Sequence, residues 1–198
     1  MILGIGTDNT LLMRKTVQAP WEKLGSRPPA LAAMTVLRNG VILGIGKDTT
    51  LWKQELSGTY KQIPLSQAVK GAATLKDGTL VGVGLDHQLW TRATLTSSWN
   101  LVPGSGMVLS VAVMPDGKLL GVGVDNQLWT RATLTSPWVQ VPNSGAVKSV
   151  AVLPDGTLVA VGLENALWTR ATLSSAWVQV PHSAPVVSVA AYPVACDP

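Results

Sequence analysis

Apolar positions alternate with polar or small ones in short runs along the chain. One stretch shows the pattern in full: Ser110-Val111-Ala112-Val113-Met114, then Leu119-Leu120-Gly121-Val122-Gly123, then Gln127-Leu128-Trp129-Thr130-Arg131, then Trp138-Val139-Gln140-Val141. In extended chain successive side chains point to opposite faces, so this period of two predicts four short strands. Between the first two strands of successive stretches stand Leu37-Arg38-Asn39-Gly40, Leu75-Lys76-Asp77-Gly78, Met114-Pro115-Asp116-Gly117 and Leu153-Pro154-Asp155-Gly156. Proline presets φ and glycine supplies a positive φ, so each is expected to be the same tight hairpin.

The whole unit recurs. Its anchor is Gly-x-Gly-x-acid followed by Leu: GIGTDNTL from Gly4, GIGKDTTL from Gly44, GVGLDHQL from Gly82, GVGVDNQL from Gly121 and AVGLENAL from Ala160. The anchor acids Asp8, Asp48, Asp86, Asp125 and Glu164 stand 40, 38, 39 and 39 residues apart. Four antiparallel strands in about 40 residues make one propeller blade. Met1 to Gly6 reads as a second strand with no first strand before it. Val186 to Tyr192 reads as a first strand whose turn, Tyr192-Pro193-Val194-Ala195, leads nowhere. The C-terminal strand is therefore expected to complete the N-terminal blade and remove the free sheet edge. The expected fold is all-β, a five-bladed β-propeller with four antiparallel strands per blade, residues 1–198 forming a single domain. A β-trefoil has threefold symmetry and would leave two units over. An open solenoid has no need of complementary broken ends.

The units Gly-Val-Gly-x-Asp-Asn-x-Leu-Trp-x-Arg and Trp-Val-Gln-Val-Pro, followed by a Val-x-Ser-Val-Ala-Val strand and an Asp-Gly turn, resemble the tectonin repeats and the five-bladed tachylectin-2-like propeller lectins over essentially the whole chain. That resemblance implies a non-catalytic sugar-binding module for N-acetylglucosamine (GlcNAc) or N-acetylgalactosamine (GalNAc), with one shallow site per blade or blade pair. The match is closest in the last three units. In the second, Gln54 replaces the Arg and Tyr60 the second Trp, and the connection between its third and fourth strands is one residue shorter. The first keeps Arg14, Thr16, Pro20 and Trp21 but has Leu12 in place of the first Trp.

Composition narrows the partners. Only 13% of residues are charged, about half the usual share, and the many Gly and Pro favour strands and turns over helices. The net charge of +4 permits an acidic partner. No run of Lys or Arg marks a nucleic-acid or polybasic membrane patch, so no nucleic acid is expected. No apolar run reaches the roughly 18 residues of a membrane span, and the first repeat begins at Ile2, so neither membrane insertion nor a secretory leader is expected. Cys196 is the only cysteine; it is expected to be a spare thiol, with no internal disulfide and no zinc cluster. A soluble monomer is expected, and the compartment is not legible.

Catalysis needs positioned acids, bases or nucleophiles. Asp77, Asp116 and Asp155 belong to the hairpins, the anchor acids recur once per unit, and Glu22, Glu55 and Asp197 alone fall outside the pattern. His87 occupies the slot of Asn126 and His182 that of Asn143, so both read as loop substitutions. An enzyme, a cofactor and a metal site are not expected. The Gly-x-Gly runs lie in strand patterns and do not open helices, which excludes a dinucleotide loop. Gly82 and Gly84 are instead expected to leave room for bulky side chains of the adjoining blade, and the following acid to start a turn on its own backbone.

What remains is LWTRATLTSPW from Leu128, with near copies from Leu89 and Leu167. The candidate sugar-binding sets are Trp90, Arg92, Thr94 and Trp99; Trp129, Arg131, Thr133 and Trp138; Trp168, Arg170, Thr172 and Trp177; and a partial set of Arg14 and Trp21. Indole faces pack on the C–H side of a pyranose, while hydroxyls, guanidinium and backbone amides bond its hydroxyls and acetamide. Each neutral hydrogen bond contributes only about 1 kcal/mol net, so single sites would be weak and would add through effective concentration. The same residues admit a packing reading, with Trp129 filling the gap between blades, Arg131 stacked on an indole and Trp138 covering the outer edge. Recent duplication would also account for the repeated letters. Antiparallel order puts the 1–2 and 3–4 turns on one rim, and the 2–3 turns and interblade links on the other. The sites are expected beside the 3–4 loop with Arg131 at the rim or, if the Arg is structural, on the opposite rim around Asp125, Asn126 and the Pro142-Asn143-Ser144 link. The functional expectation is a multivalent lectin; the alternative is a propeller scaffold that binds a protein partner through one rim.

Overall fold

The computed structural model describes residues 1–24, 28–55, 58–66, 68–183 and 185–192. Cys196, Asp197 and the turn expected after Tyr192 lie outside the described residues. The strands are β1 (Ile2–Gly6), β2 (Leu11–Arg14), β3 (Glu22–Lys23), β4 (Leu31–Val36), β5 (Ile42–Gly46), β6 (Leu51–Gln54), β7 (Tyr60–Gln62), β8 (Val69–Thr74), β9 (Leu80–Gly84), β10 (Leu89–Arg92), β11 (Asn100–Leu101), β12 (Val108–Val113), β13 (Leu119–Gly123), β14 (Leu128–Arg131), β15 (Val139–Gln140), β16 (Val147–Val152), β17 (Leu158–Gly162), β18 (Leu167–Arg170), β19 (Val178–Gln179) and β20 (Val186–Ala191). They form five antiparallel four-stranded sheets, ordered β20-β1-β2-β3, β4 to β7, β8 to β11, β12 to β15 and β16 to β19 from the axis outwards. These are blades I to V of the expected propeller. Among the described residues there is no helix, and therefore none long and apolar enough to cross a membrane.

The ring closes as the broken ends of the sequence require: β1 pairs with β20 from Ile2 opposite Ala191 to Gly6 opposite Val186. The innermost strands β4, β8, β12, β16 and β20 pack side by side around a narrow axial channel of about 130 Å³. The second strand of each blade is buried along its whole length. It faces a neighbour on both sides, so it reads as an unbroken apolar and glycine run. Apolar clusters fill the interblade spaces; Leu128 and Val141 of blade IV, for example, pack with Val150 and Leu158 of blade V.

The four hairpins are one turn, as expected. Gly40, Gly78, Gly117 and Gly156 have φ of 81°, 90°, 93° and 88°. Their amides donate to the carbonyls of Leu37, Leu75, Met114 and Leu153 at 2.8–3.0 Å. Strand bounds differ from expectation in two places. β12 starts at Val108, before a bulge that lets its first residues reach the link. The outer strand of blade IV is only Val139–Gln140, because Trp138 does not open it but turns its ring in over the sheet.

Four of the five interblade links carry a Pro-x-Ser corner: Pro64-Leu65-Ser66, Pro103-Gly104-Ser105, Pro142-Asn143-Ser144 and Pro181-His182-Ser183. The middle residue is left-handed, with φ of 52° at Leu65, 63° at Gly104, and 52° at Asn143 and His182. The serine is buried: Ser144 Oγ donates to Val141 O at 2.6 Å and accepts from Leu128 N at 2.9 Å. Ser105 repeats this at 2.5 and 2.8 Å. A buried backbone donor left unpaired costs about 1–3 kcal/mol, so this one hydroxyl ties the link to the start of the third strand.

Candidate functional site

The Gly-x-Gly strand is a floor for two indoles of its own blade, a correction to the expectation that it accommodates the adjoining one. A Cβ on Gly121 would lie 2.9 Å from Trp138 Cη2, and one on Gly123 would lie 2.7 Å from Trp129 Nε1. Gly82 and Gly84 stand in the same way under Trp99, at 2.8 Å, and Trp90, at 2.6 Å. At these distances a side chain would press on the rings as they stand, which favours glycine at these strand positions. In blade V the first glycine is Ala160, fully buried.

The two indoles have different work. Trp138 joins the core between blades III and IV, and its Nε1 donates to Ser105 O in the link at 3.1 Å. Trp21 and Trp177 repeat that bond to Ser183 and Ser144, at 3.0 and 3.4 Å. Trp129 lies beside the 2–3 turn, half-buried, and its Nε1 donates to Asp125 Oδ1 at 3.2 Å. Trp90 does the same to Asp86 at 3.2 Å, and Trp168 to Glu164.

The four anchor aspartates start their turns on their own backbone, as expected. Asp8, Asp86 and Asp125 accept from the amide two residues on, at 3.0–3.1 Å. At Asp86 burial works against the charge, but the Gln88 amide and the Trp90 indole outweigh it and hold the carboxyl below its ordinary value. At Asp8 the Thr10 hydroxyl is the main cause of a shift in the same direction.

Arg131 is not a rim residue. It is 2% exposed, and Arg14, Arg92 and Arg170 are buried to a similar degree. Each guanidinium lies over the second Trp of its blade, 4.9 Å from Trp21, 5.0 Å from Trp99, and 5.6 Å from both Trp138 and Trp177. Arg92 also donates to Thr94 O at 3.0 Å and Leu95 O at 2.7 Å, and Arg170 to Pro142 O of the preceding link at 3.2 Å. For Arg131, Nε and Nη1 meet no hydrogen-bond partner among the described residues, so the indole face is its main contact. Burial pulls all four guanidinium groups down from their ordinary value, though Arg stays charged at any ordinary pH.

The hydroxyl-rich 3–4 loops are largely self-satisfied. Thr133 Oγ1 accepts from Ser136 N at 3.2 Å and lies 2.8 Å from Ser136 Oγ. Thr94 and Ser97 repeat the arrangement at 3.2 and 2.6 Å, and Thr172 lies 2.8 Å from Ser175 Oγ. These are turn-building bonds of the kind Thr and Ser make locally.

Cavities that bring indoles together open on the other rim. One, of about 170 Å³, is lined by Trp129, Trp138, Asp125, Val124, Met107, Val108 and Gly106. Its counterpart in blade III, about 290 Å³, is lined by Trp90, Trp99, Asp86, Leu85, Ala68, Val69 and Gly84. In blades III and IV the two Trp of the predicted set therefore meet at one cavity, while the Arg lies beneath the second Trp and the Thr on the far side of the blade. Met107, 64% exposed, and Leu85, 55% exposed, were not anticipated. The signal available for them was only their adjacency to the Gly-x-Gly-x-acid turn and the link.

The histidines take their expected slots. His87 has φ 64° and lies 3.3 Å from Val108 O, as Asn126, φ 61°, donates to Val147 O at 3.1 Å. Either side chain latches a 2–3 turn to the next blade.

The Tectonin domain family profile matches residues 1–192. No curated protein matches the chain. Among solved structures the chain is similar to a protein of unknown function from Bacteroides thetaiotaomicron, with a TM-score of 0.58 and 11% identity, over 85% of this chain and 54% of that one. It is similar to a putative gluconolactonase at a TM-score of 0.58 and 13% identity, over 91% of this chain and 72% of that one. The chain thus spans about half the length of the first of these, and at such identities the likeness is of fold alone. The profile match over nearly the full length establishes that the chain belongs to the Tectonin domain family of lectin-like propellers.

Proposed function

We propose that this protein is a non-catalytic carbohydrate-binding propeller. It takes N-acetylated hexoses of the GlcNAc and GalNAc class in shallow sites on the link rim, one per complete blade. The observation that carries the reading is the paired-indole cavity beside a carboxylate, Trp129 and Trp138 with Asp125, repeated as Trp90 and Trp99 with Asp86. Indole and aliphatic walls suit the C–H face of a pyranose or the methyl of an acetamide, and the carboxylate accepts sugar hydroxyls. Volumes of about 170 and 290 Å³ fall below the usual range for drug-sized ligands, which suits one ring per cavity. Trp168, Trp177 and Glu164 supply the same groups in blade V. The buried Arg acts through the second Trp, as a positioning residue, and the Thr keeps the 3–4 loop in shape. The choice of sugar rests on family membership.

Calorimetry with a monovalent N-acetylated hexose is expected to count about three sites per chain, with millimolar to high-micromolar affinity, roughly −4 to −6 kcal/mol. The matching hexose without the acetamide should bind more weakly. If neither N-acetylated nor plain hexoses bind at millimolar concentration, the lectin reading fails and the protein-scaffold reading takes its place.

A further inference from the structure

On the rim away from the indole cavities, the axial channel widens into a mouth of about 670 Å³. Mouth and channel share Val36, Thr74, Val113, Val152 and Ala191, so the one narrows into the other. The mouth is ringed by the 1–2 hairpins, and its character is set by one hairpin position, the residue after the leading Leu or Met. Blades II and III place Arg38 and Lys76 there, and blades IV and V place Pro115 and Pro154. The rest of the wall beside the prolines is Met114 and Leu153, with Tyr192, whose hydroxyl donates to Gly40 O at 3.1 Å.

The acids of these hairpins bond within their own turns, and Asp77 and Asp116 act on Arg38 and Lys76 as nearby charges without forming an ion pair with them. Asp77 accepts from Thr79 N at 2.9 Å and Asp155 from Thr157 N at 2.9 Å, while Asp116 takes Lys118 N at 3.0 Å and Lys118 Nζ at 2.9 Å. Among the described residues none of the three lines the mouth, where Arg38 and Lys76 are the charged residues present. Among the described residues neither of them has a carboxylate within 4.0 Å. The mouth is thus cationic on one side and apolar on the other, across two pairs of adjacent blades.

We propose that this mouth is a second binding site, for a small amphipathic carboxylate. Its head would sit between Arg38 and Lys76 and its alkyl or aryl portion against Met114, Pro115, Leu153 and Pro154. The planar guanidinium fork matches a carboxylate with two parallel hydrogen bonds, and the lysine adds a point charge. Proline walls are rigid, so little ordering accompanies contact with the tail. The site is independent of the sugar reading, since the two lie on opposite rims.

Octanoate is a suitable probe, titrated into the full chain by calorimetry below the concentration at which it self-associates. One site per chain is expected. The neutral amide of the same chain length, and the double variant R38Q/K76Q toward octanoate, should each bind about tenfold or more weakly. All the substituted side chains are exposed in turns, so the variant should keep the wild-type melting temperature. A separate variant, Pro154→Asp, places a charge on the apolar wall and should also weaken octanoate. Indole-cavity occupation by hexose should be unchanged in every variant. Absence of saturable octanoate binding overturns the proposal. So does equal binding of the amide, or unchanged affinity in R38Q/K76Q.

Discussion

Blades I and IV carry the same sheet and the same buried Arg–Trp stack, yet they differ twice over. Blade IV is one continuous stretch of chain, whereas blade I takes β1, β2 and β3 from the N-terminus and β20 from the C-terminal end. Blade IV has Trp129 beside Asp125, and blade I has Leu12 at the equivalent place while retaining Arg14 over Trp21 at 4.9 Å. The second difference separates two halves of the repeated motif. Arg and the second Trp survive without the first Trp, so they belong to interblade packing; the first Trp and the acid belong to the rim cavity. Blade II makes the complementary case. With Gln54 and Tyr60 it has lost the stack; Leu31 covers Gly44, with its Cδ2 2.6 Å from where a Cβ would stand, and burial pushes the Tyr60 phenol up to about 12.

The largest effect should come from undoing the stitch in blade I. A chain ending before Val186 loses the inner strand of that sheet, with Val186, Val189 and Ala190 buried between blades. It exposes the edge of β1 and opens the ring, and cooperative thermal unfolding is expected to disappear. A truncated chain that melts as sharply as the full one, at the same temperature, would show that closure does not hold the ring.

Next in size is Trp138→Ala. A Trp truncated in a core costs 3–5 kcal/mol, and this ring is only partly buried, so about 3 kcal/mol is expected by denaturant titration. The proposed blade IV sugar site should vanish with it. Trp21→Ala should cost a similar amount while leaving the hexose stoichiometry unchanged, because blade I has no cavity indole to lose.

Arg131→Ala should cost about 2 kcal/mol, the scale of a desolvated cation–π contact plus its lost packing. Arg131→Met keeps the packing volume and relieves a buried charge with few hydrogen bonds, so it should stay within about 1 kcal/mol of wild type. Both variants are expected to keep the blade IV site, with hexose affinity moved only as far as Trp138 shifts. Loss of the site in Arg131→Met with the ring still folded would restore the guanidinium to direct sugar contact.

The smallest effect on stability, and the sharpest on function, should come from exchanging the residues that distinguish the two blades. Trp129→Leu is expected to change stability by no more than about 1 kcal/mol and to remove one hexose site in calorimetry. Leu12→Trp places an indole beside Asp8 and should add one. If neither exchange changes the count, the first Trp does not define the site.

The sequence alone carried the architecture. Strand period, hairpin residues and the spacing of the anchor acids are local or strictly repeated signals, and a blade with missing pieces at both chain ends has one closed solution. The packing use of Arg131 was also legible as one of two readings, because an Arg two residues from one Trp on its own strand and seven from another beyond the next loop has few places to go. Tertiary structure decided how deep that Arg lies, and on which rim the indoles meet. Alternation along β14 orders side chains by face but is silent on how deep a long side chain runs, and Arg131 folds back under Trp138 instead of reaching water. Nor does spacing show that the first and second Trp of a blade, nine residues apart in the chain, converge. They do so because β13 offers both rings the same glycine floor, and the Pro-x-Ser link holds the second ring by its indole nitrogen.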